Sequence, residues 1–160
     1  MIRNLLILDK NGRALLCSNF GECHSLCDNT EEISGFITVL SSFGKALSAD
    51  TLNEISLSGL QFLLRTKEDL IFSISADDTD NASYRRVLND IIGLFSDLYD
   101  SYSCGIEDKI DTSVYQEFPK FLVDQGILQL NCGKYTECEG CPNRDHSLPL
   151  REMTRELSGL

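Results

Sequence analysis

The sequence predicts an α+β sandwich: a five-stranded antiparallel sheet between one helix and a helix pair. Three observations carry this expectation. Two apolar runs at the start are joined through Asn11-Gly12, three short apolar stretches in the middle are separated by turn residues, and an amphipathic helical stripe follows each group. A length of 160 residues suits one domain with its own core plus a tail. The expected division is a domain over 1-125 and a cysteine-containing extension over 126-160.

The first element is the apolar run Ile2 to Leu8, followed by Asp9-Lys10-Asn11-Gly12 and then Arg13-Ala14-Leu15-Leu16-Cys17. Asn-Gly between two such runs is a strong hairpin signal, because both residues tolerate the positive φ of tight turns. After a loop from about Gly21 to Asn29, Ile33, Phe36, Ile37, Leu40, Phe43 and Leu47 recur at helical spacing, with Ser34, Thr38, Ser41 and Lys45 on another side. This predicts a helix that buries the apolar stripe, with Asn29 and Glu32 as a capping pair. Gly35 and Gly44 lower its intrinsic helicity, which is tolerated more easily if they let the helix approach a sheet or a partner closely, sheet packing being the favoured reading.

Leu52 to Leu57, Leu60 to Leu64 and Leu70 to Ile74 then read as a three-stranded meander, with turns at Ser58-Gly59 and Lys67-Glu68-Asp69. Tyr84, Val87, Leu88, Ile91, Phe95, Leu98, Tyr99 and Tyr102 form the cleanest helical stripe, so Ile91 at its middle should be buried against the sheet. A third helical segment is expected from about Ser113, where Pro119 must kink it or start a new turn, and Gly126 should end it.

Composition narrows the function. Fourteen Lys and Arg against 25 Asp and Glu give a net charge of -11, which repels phosphate backbones and argues against a nucleic-acid partner. No apolar run approaches the roughly 20 residues needed to span a bilayer, and Met1-Ile2-Arg3-Asn4 leads into a short apolar run without a cleavage site. The expectation is therefore a protein that is neither exported nor membrane-spanning. Seven cysteines, an odd count, then favour reduced thiols or a metal over disulfides and place the chain in the cytoplasm.

Catalytic motifs are missing. Gly44-Lys45 is followed by Ala46 inside an expected helix, so it does not make a phosphate loop, and Gly-x-Gly-x-x-Gly, His-Glu-x-x-His and Gly-x-Ser-x-Gly do not occur. Asp77, Asp78 and Asp80 lack the Gly and distal Glu of a calcium loop and read as a solvated loop leading into a helix. The one chemical constellation is in the tail, where Cys132, Cys138 and Cys141 are followed by His146. The two-residue gap between Cys138 and Cys141 lets both thiolates reach one ion, so a Cys3His zinc site is expected, with an iron-sulfur cluster as the alternative. A second thiol group, Cys23-His24-Ser25-Leu26-Cys27, could complete that site, bind a metal itself or simply pack; Cys17 and Cys104 read as packing residues.

The order of elements, and the opening Ile2-Arg3-Asn4-Leu5-Leu6-Ile7-Leu8-Asp9-Lys10-Asn11-Gly12-Arg13, resembles the first 125 or so residues of the longin-domain family, a profilin-like sandwich. The related roadblock domain ordinarily leads with a helix, whereas strands come first here. The resemblance implies a non-enzymatic protein-interaction module in membrane trafficking or small-GTPase regulation. Its partner would be a small GTPase or another longin/roadblock-type domain, in a homo- or heterodimer built through sheet edges or the first helix, with peripheral membrane association only through a partner. No SNARE heptad or GTPase domain follows residue 125, so a stand-alone, archaeal-type or TRAPP-like module fits the pattern better. The alternative is a small metal- or redox-dependent protein that uses the C-terminal cysteines.

Overall fold

A computed structural model describes residues 1–21, 26–48, 51–57, 60–76, 81–99 and 111–130. Strands β1 (Ile2–Asp9) and β2 (Ala14–Asn19) form the opening hairpin. Helix α1 (Thr30–Ser48) follows, then the meander β3 (Glu54–Leu57), β4 (Leu60–Lys67) and β5 (Leu70–Ala76), then helices α2 (Asn81–Tyr99) and α3 (Phe118–Asp124). The strands lie in the order β2-β1-β5-β4-β3, and every neighbouring pair is antiparallel. The expected α+β sheet architecture is therefore the observed one.

Strand alternation distributes the core over two layers. Leu5 and Ile7 of β1, Leu63 of β4 and Phe72 and Ile74 of β5 face α2 and α3, where Leu88, Ile91, Phe95, Phe118 and Leu122 pack on them. Leu6 and Leu8 of β1, with Phe62, Leu64 and Ile71, face the other way and meet Ile33 and Ile37 of α1. Every residue of β1 is buried, as an interior strand covered on both faces requires. Ile91 is fully buried, as the helical stripe predicts.

The opening turn differs in detail from a two-residue hairpin. The Gly12 N–H donates to the Asp9 carbonyl at 3.0 Å, Asp9 N–H donates to the Arg13 carbonyl at 2.9 Å, and only Gly12 takes positive φ, at 83°. These bonds and the positive φ of Gly12 close the turn with a bulge at the glycine, and a separate irregularity follows in β2, where the register passes from Leu8↔Ala14 to Ile7↔Leu16 and leaves Leu15 without a cross-strand partner in β1. The Asp9 carboxylate stabilises it by accepting from the N–H groups of Asn11 and Arg13, each at 2.9 Å.

Pro119 begins a new turn instead of kinking a longer helix. A 3-10 turn at Thr112–Tyr115 precedes it, and α3 starts with the proline in its first turn, where a missing N–H leaves no bond unmade. Gly126, at φ 69°, ends α3. Its N–H donates to the Val123 carbonyl and that of Ile127 to the Leu122 carbonyl, the paired bonds of a Schellman stop. Leu128 is buried beyond this stop and belongs to the α2 and α3 core layer.

Candidate partner-binding face

Helix α1 places different residues inward than its apolar periodicity suggests. Ile33 and Ile37 are buried as expected, but Ser34 and Ser41 are buried beside them, while Phe36, Val39, Phe43 and Leu47 are 38%, 66%, 59% and 71% exposed. The expected burial of Phe36, Phe43 and Leu47 is thus overturned. The reason is steric. Thr38 stands against the opening turn so closely that a Cβ on Gly12 would lie 2.6 Å from its Oγ1, and this seating rotates small residues toward the sheet. Ser34 fits there because its hydroxyl donates to the Thr30 carbonyl within the helix. Gly35 has nothing within 4 Å of where its Cβ would be and Gly44 approaches Leu52, so neither glycine serves close packing on the sheet.

The result is an apolar stripe along the outer side of α1. At its first turns the Phe36 ring leans on Phe62 of β4 at 6.4 Å, so the stripe is continuous with the sheet layer below. Ile55 and Leu57 of β3 share that face by alternation, and Leu57, on the sheet's terminal strand, is 51% exposed. Contiguous exposed apolar surface of this kind marks interaction sites more often than scattered single residues do. From Ile33 to Ser48 the helix carries one charge, Lys45, in a chain of net charge -11.

The start of α1 is tied down twice. Cys17 of β2 and Cys27, three residues before the helix, form a disulfide with a Cα–Cα distance of 5.5 Å. Cys17 is therefore not merely a packing residue, and Cys27 has no free thiolate to offer a metal. The sequence did not reveal the pair because the two thiols meet only when α1 folds back over the sheet. A disulfide is rare in a reducing cytosol, so the pairing weighs against the reduced-thiol expectation. The Asn19 Oδ1 atom adds a second tie, accepting from the Cys27 N–H at 3.2 Å and from Asn4 Nδ2 at 2.7 Å. The Ser75 hydroxyl donates to Asn4 Oδ1 at 2.6 Å, which extends this polar seam across three strands. Loop-closure entropy gives the bond a worth of about 2.5 kcal/mol for a separation of this size. Reduction, or Cys17→Ser, should lower the unfolding free energy from urea titration by about that amount; an unchanged midpoint and slope in dithiothreitol would show that the bond contributes nothing.

The opposite face is closed by a polar clasp. Glu54 of β3 accepts from Arg85 at 2.7 Å and from Gln61 Nε2 at 2.6 Å, joining the terminal strand to α2. Burial raises the pKa of the Tyr99 phenol, with Glu117 adding to the effect, and burial likewise raises Tyr115, with Tyr99 adding. Hydrogen bonds from Ser113 lower the Asp111 carboxyl. All three shifts lead away from neutrality, so none of these groups is tuned for proton transfer near pH 7.

The expected metal ligands Cys132, Cys138, Cys141 and His146 lie outside the described residues, as do Cys23, His24, Cys104 and the Asp77, Asp78 and Asp80 loop. Among the described residues no group of three or more His, Cys, Asp or Glu side chains is placed to hold a metal ion. No described helix is long and apolar enough to cross a membrane.

No protein-family profile and no curated protein matches the chain. Among solved structures it is similar to the crystal structure of a Roadblock/LC7 domain from Streptomyces avermitilis, with a TM-score of 0.47 and 14% identity over 63% of this chain and 84% of that one.

Proposed function

We propose that this protein is a non-enzymatic protein-interaction module of longin type that acts in membrane trafficking or small-GTPase regulation. The observation that carries the reading is the exposed stripe Phe36, Val39, Phe43 and Leu47 on a helix otherwise anchored to the sheet. Fully burying an exposed side chain of this kind is worth about 1.5–3 kcal/mol, and the part of these four that remains in water is the part a partner would cover. The partner is a small GTPase or another longin/roadblock-type domain. A photoreactive amino acid in place of Val39, activated in the cells that make the protein, should form an adduct with such a chain. If no protein adduct forms, the reading fails.

The tail has a separate part in this proposal. Cys132, Cys138, Cys141 and His146 hold a zinc ion that orders the extension, and Cys27 is excluded as the fourth ligand by its disulfide. Elemental analysis of the purified protein should find about one zinc per chain, lost together in Cys138→Ser and Cys141→Ser; metal-free protein would remove this part.

A further inference from the structure

We infer that the Cys17–Cys27 disulfide is a redox latch on helix α1: a dithiol that reduces it lets α1 open from the sheet as a unit, while the sheet, α2 and α3 stay folded. The argument begins with how little else holds α1. Its sheet-facing side offers two large apolar residues, Ile33 and Ile37, beside Ser34 and Ser41, whereas α2 buries Leu88, Ile91, Ile92 and Phe95. The β-branched Ile33, Ile37, Thr38 and Val39, with Gly35 and Gly44, also lower its intrinsic helicity. Its ties to β2 sit at its start. The disulfide joins Cys27 to Cys17, and the Cys27 N–H donates to Asn19 Oδ1 at 3.2 Å. The Thr30 hydroxyl, donating to the Cys27 carbonyl at 2.8 Å, connects that turn to the helix. Opening α1 with this turn is the smallest movement that parts Cys27 from Cys17, so the bond opposes it with the whole of its loop-closure effect.

The bond is also within reach of a reductant. Cys17 and Cys27 are each half-buried, and partly exposed disulfides are the labile, regulatory ones. In a reducing compartment a bond of this kind is transient and redox-sensing. One thiolate of the dithiol attacks one sulfur of the pair, the S–S bond breaks, and the other cysteine leaves as a thiolate that takes up a proton. The second thiolate of the dithiol then attacks the mixed disulfide, releases the remaining cysteine and closes a disulfide of its own. Two electrons and two protons have passed from the dithiol to Cys17 and Cys27. Once α1 opens, Phe36, Val39, Phe43 and Leu47 no longer share one face over the sheet, and a partner seated there is released; this consequence rests on the stripe being the docking face.

Amide hydrogen exchange of the full-length protein at low denaturant, oxidised and then in dithiothreitol, tests the latch. Reduction should speed exchange from Ile33 to Val39 about 70-fold, the equilibrium factor that corresponds to the loop-closure entropy. In the reduced protein these amides should exchange through an opening with a much smaller denaturant slope than that of β1, β5 and α2, because only α1 is exposed. Glutathione disulfide should restore the slow exchange. The paired variant Cys17→Ser and Cys27→Ser should match the reduced protein without dithiothreitol and change no further with it. A bond that dithiothreitol leaves intact without denaturant overturns the inference. So does a reduced protein in which α1 and the sheet open with one free energy and one slope, and so does a response to dithiothreitol that persists in the paired variant. An α1 that opens on reduction, in a protein whose Val39 position forms no adduct in either redox state, supports the latch and removes the docking face instead.

Discussion

Phe95→Ala is expected to cost about 3–5 kcal/mol, the range for deleting a buried aromatic ring. Phe95 is 4% exposed and touches four other rings: Phe72 of β5 at 5.4 Å, Tyr99 at 4.8 Å, Tyr115 at 5.3 Å and Phe118 at 5.2 Å. It thus joins the sheet, α2, the 3-10 turn and α3 at one point. The contacts with Phe72 and Phe118 are edge-on, the geometry in which the positive rim of one ring meets the negative face of another. Deletion would leave a cavity walled by rigid neighbours that cannot collapse into it. Domains of this size are stable by about 5–15 kcal/mol, so the variant should fold only marginally. Urea denaturation measures the loss. A cost below about 1 kcal/mol would mean that α3 does not pack where it is placed. Phe43→Ala provides the contrast: on the exposed stripe it should cost less than about 1 kcal/mol in the monomer.

The second large effect is expected at Gly12. Its φ of 83° is a conformation that costs an ordinary residue about 1–2 kcal/mol, and its missing Cβ leaves the space that Thr38 occupies. Gly12→Ala therefore combines a conformational cost with overpacking, for a total of about 2–4 kcal/mol. Thr38→Ala separates the two. The Thr38 hydroxyl is buried without a hydrogen-bond partner, so removing it should be nearly neutral by itself. In that background Gly12→Ala should cost only the conformational part, about 1–2 kcal/mol. If the two substitutions are additive in thermal or urea denaturation, the contact between the turn and α1 is not made.

That contact also explains a partial failure of periodicity. A helical repeat states which side chains share a side of the helix, and for α2 this placed Leu88, Ile91 and Phe95 in the core, although Leu98 of the expected stripe is 46% exposed and Tyr102 lies outside the described residues. Helix α1 has two adjacent stripes that could both meet a sheet: a bulky one through Phe36 and Phe43, and a smaller one through Ile33, Ser34, Ile37 and Ser41. Hydrophobicity favours the first as core. Packing selected the second, with Thr38 seated in the space that a Cβ on Gly12 would occupy.

Local sequence sets the strand and helix order, the turn at Gly12, an interruption at Pro119 and the stop at Gly126. These follow from local φ preferences and from the periods of short segments, which depend on near neighbours only. Tertiary packing brings Cys17 to Cys27, joins Asn4, Asn19 and Ser75 in one polar seam, and leaves the Phe36, Val39, Phe43 and Leu47 side of α1 exposed. Each of these joins residues distant in sequence, and in each the outcome depends on how the elements stack in space, which no local pattern encodes.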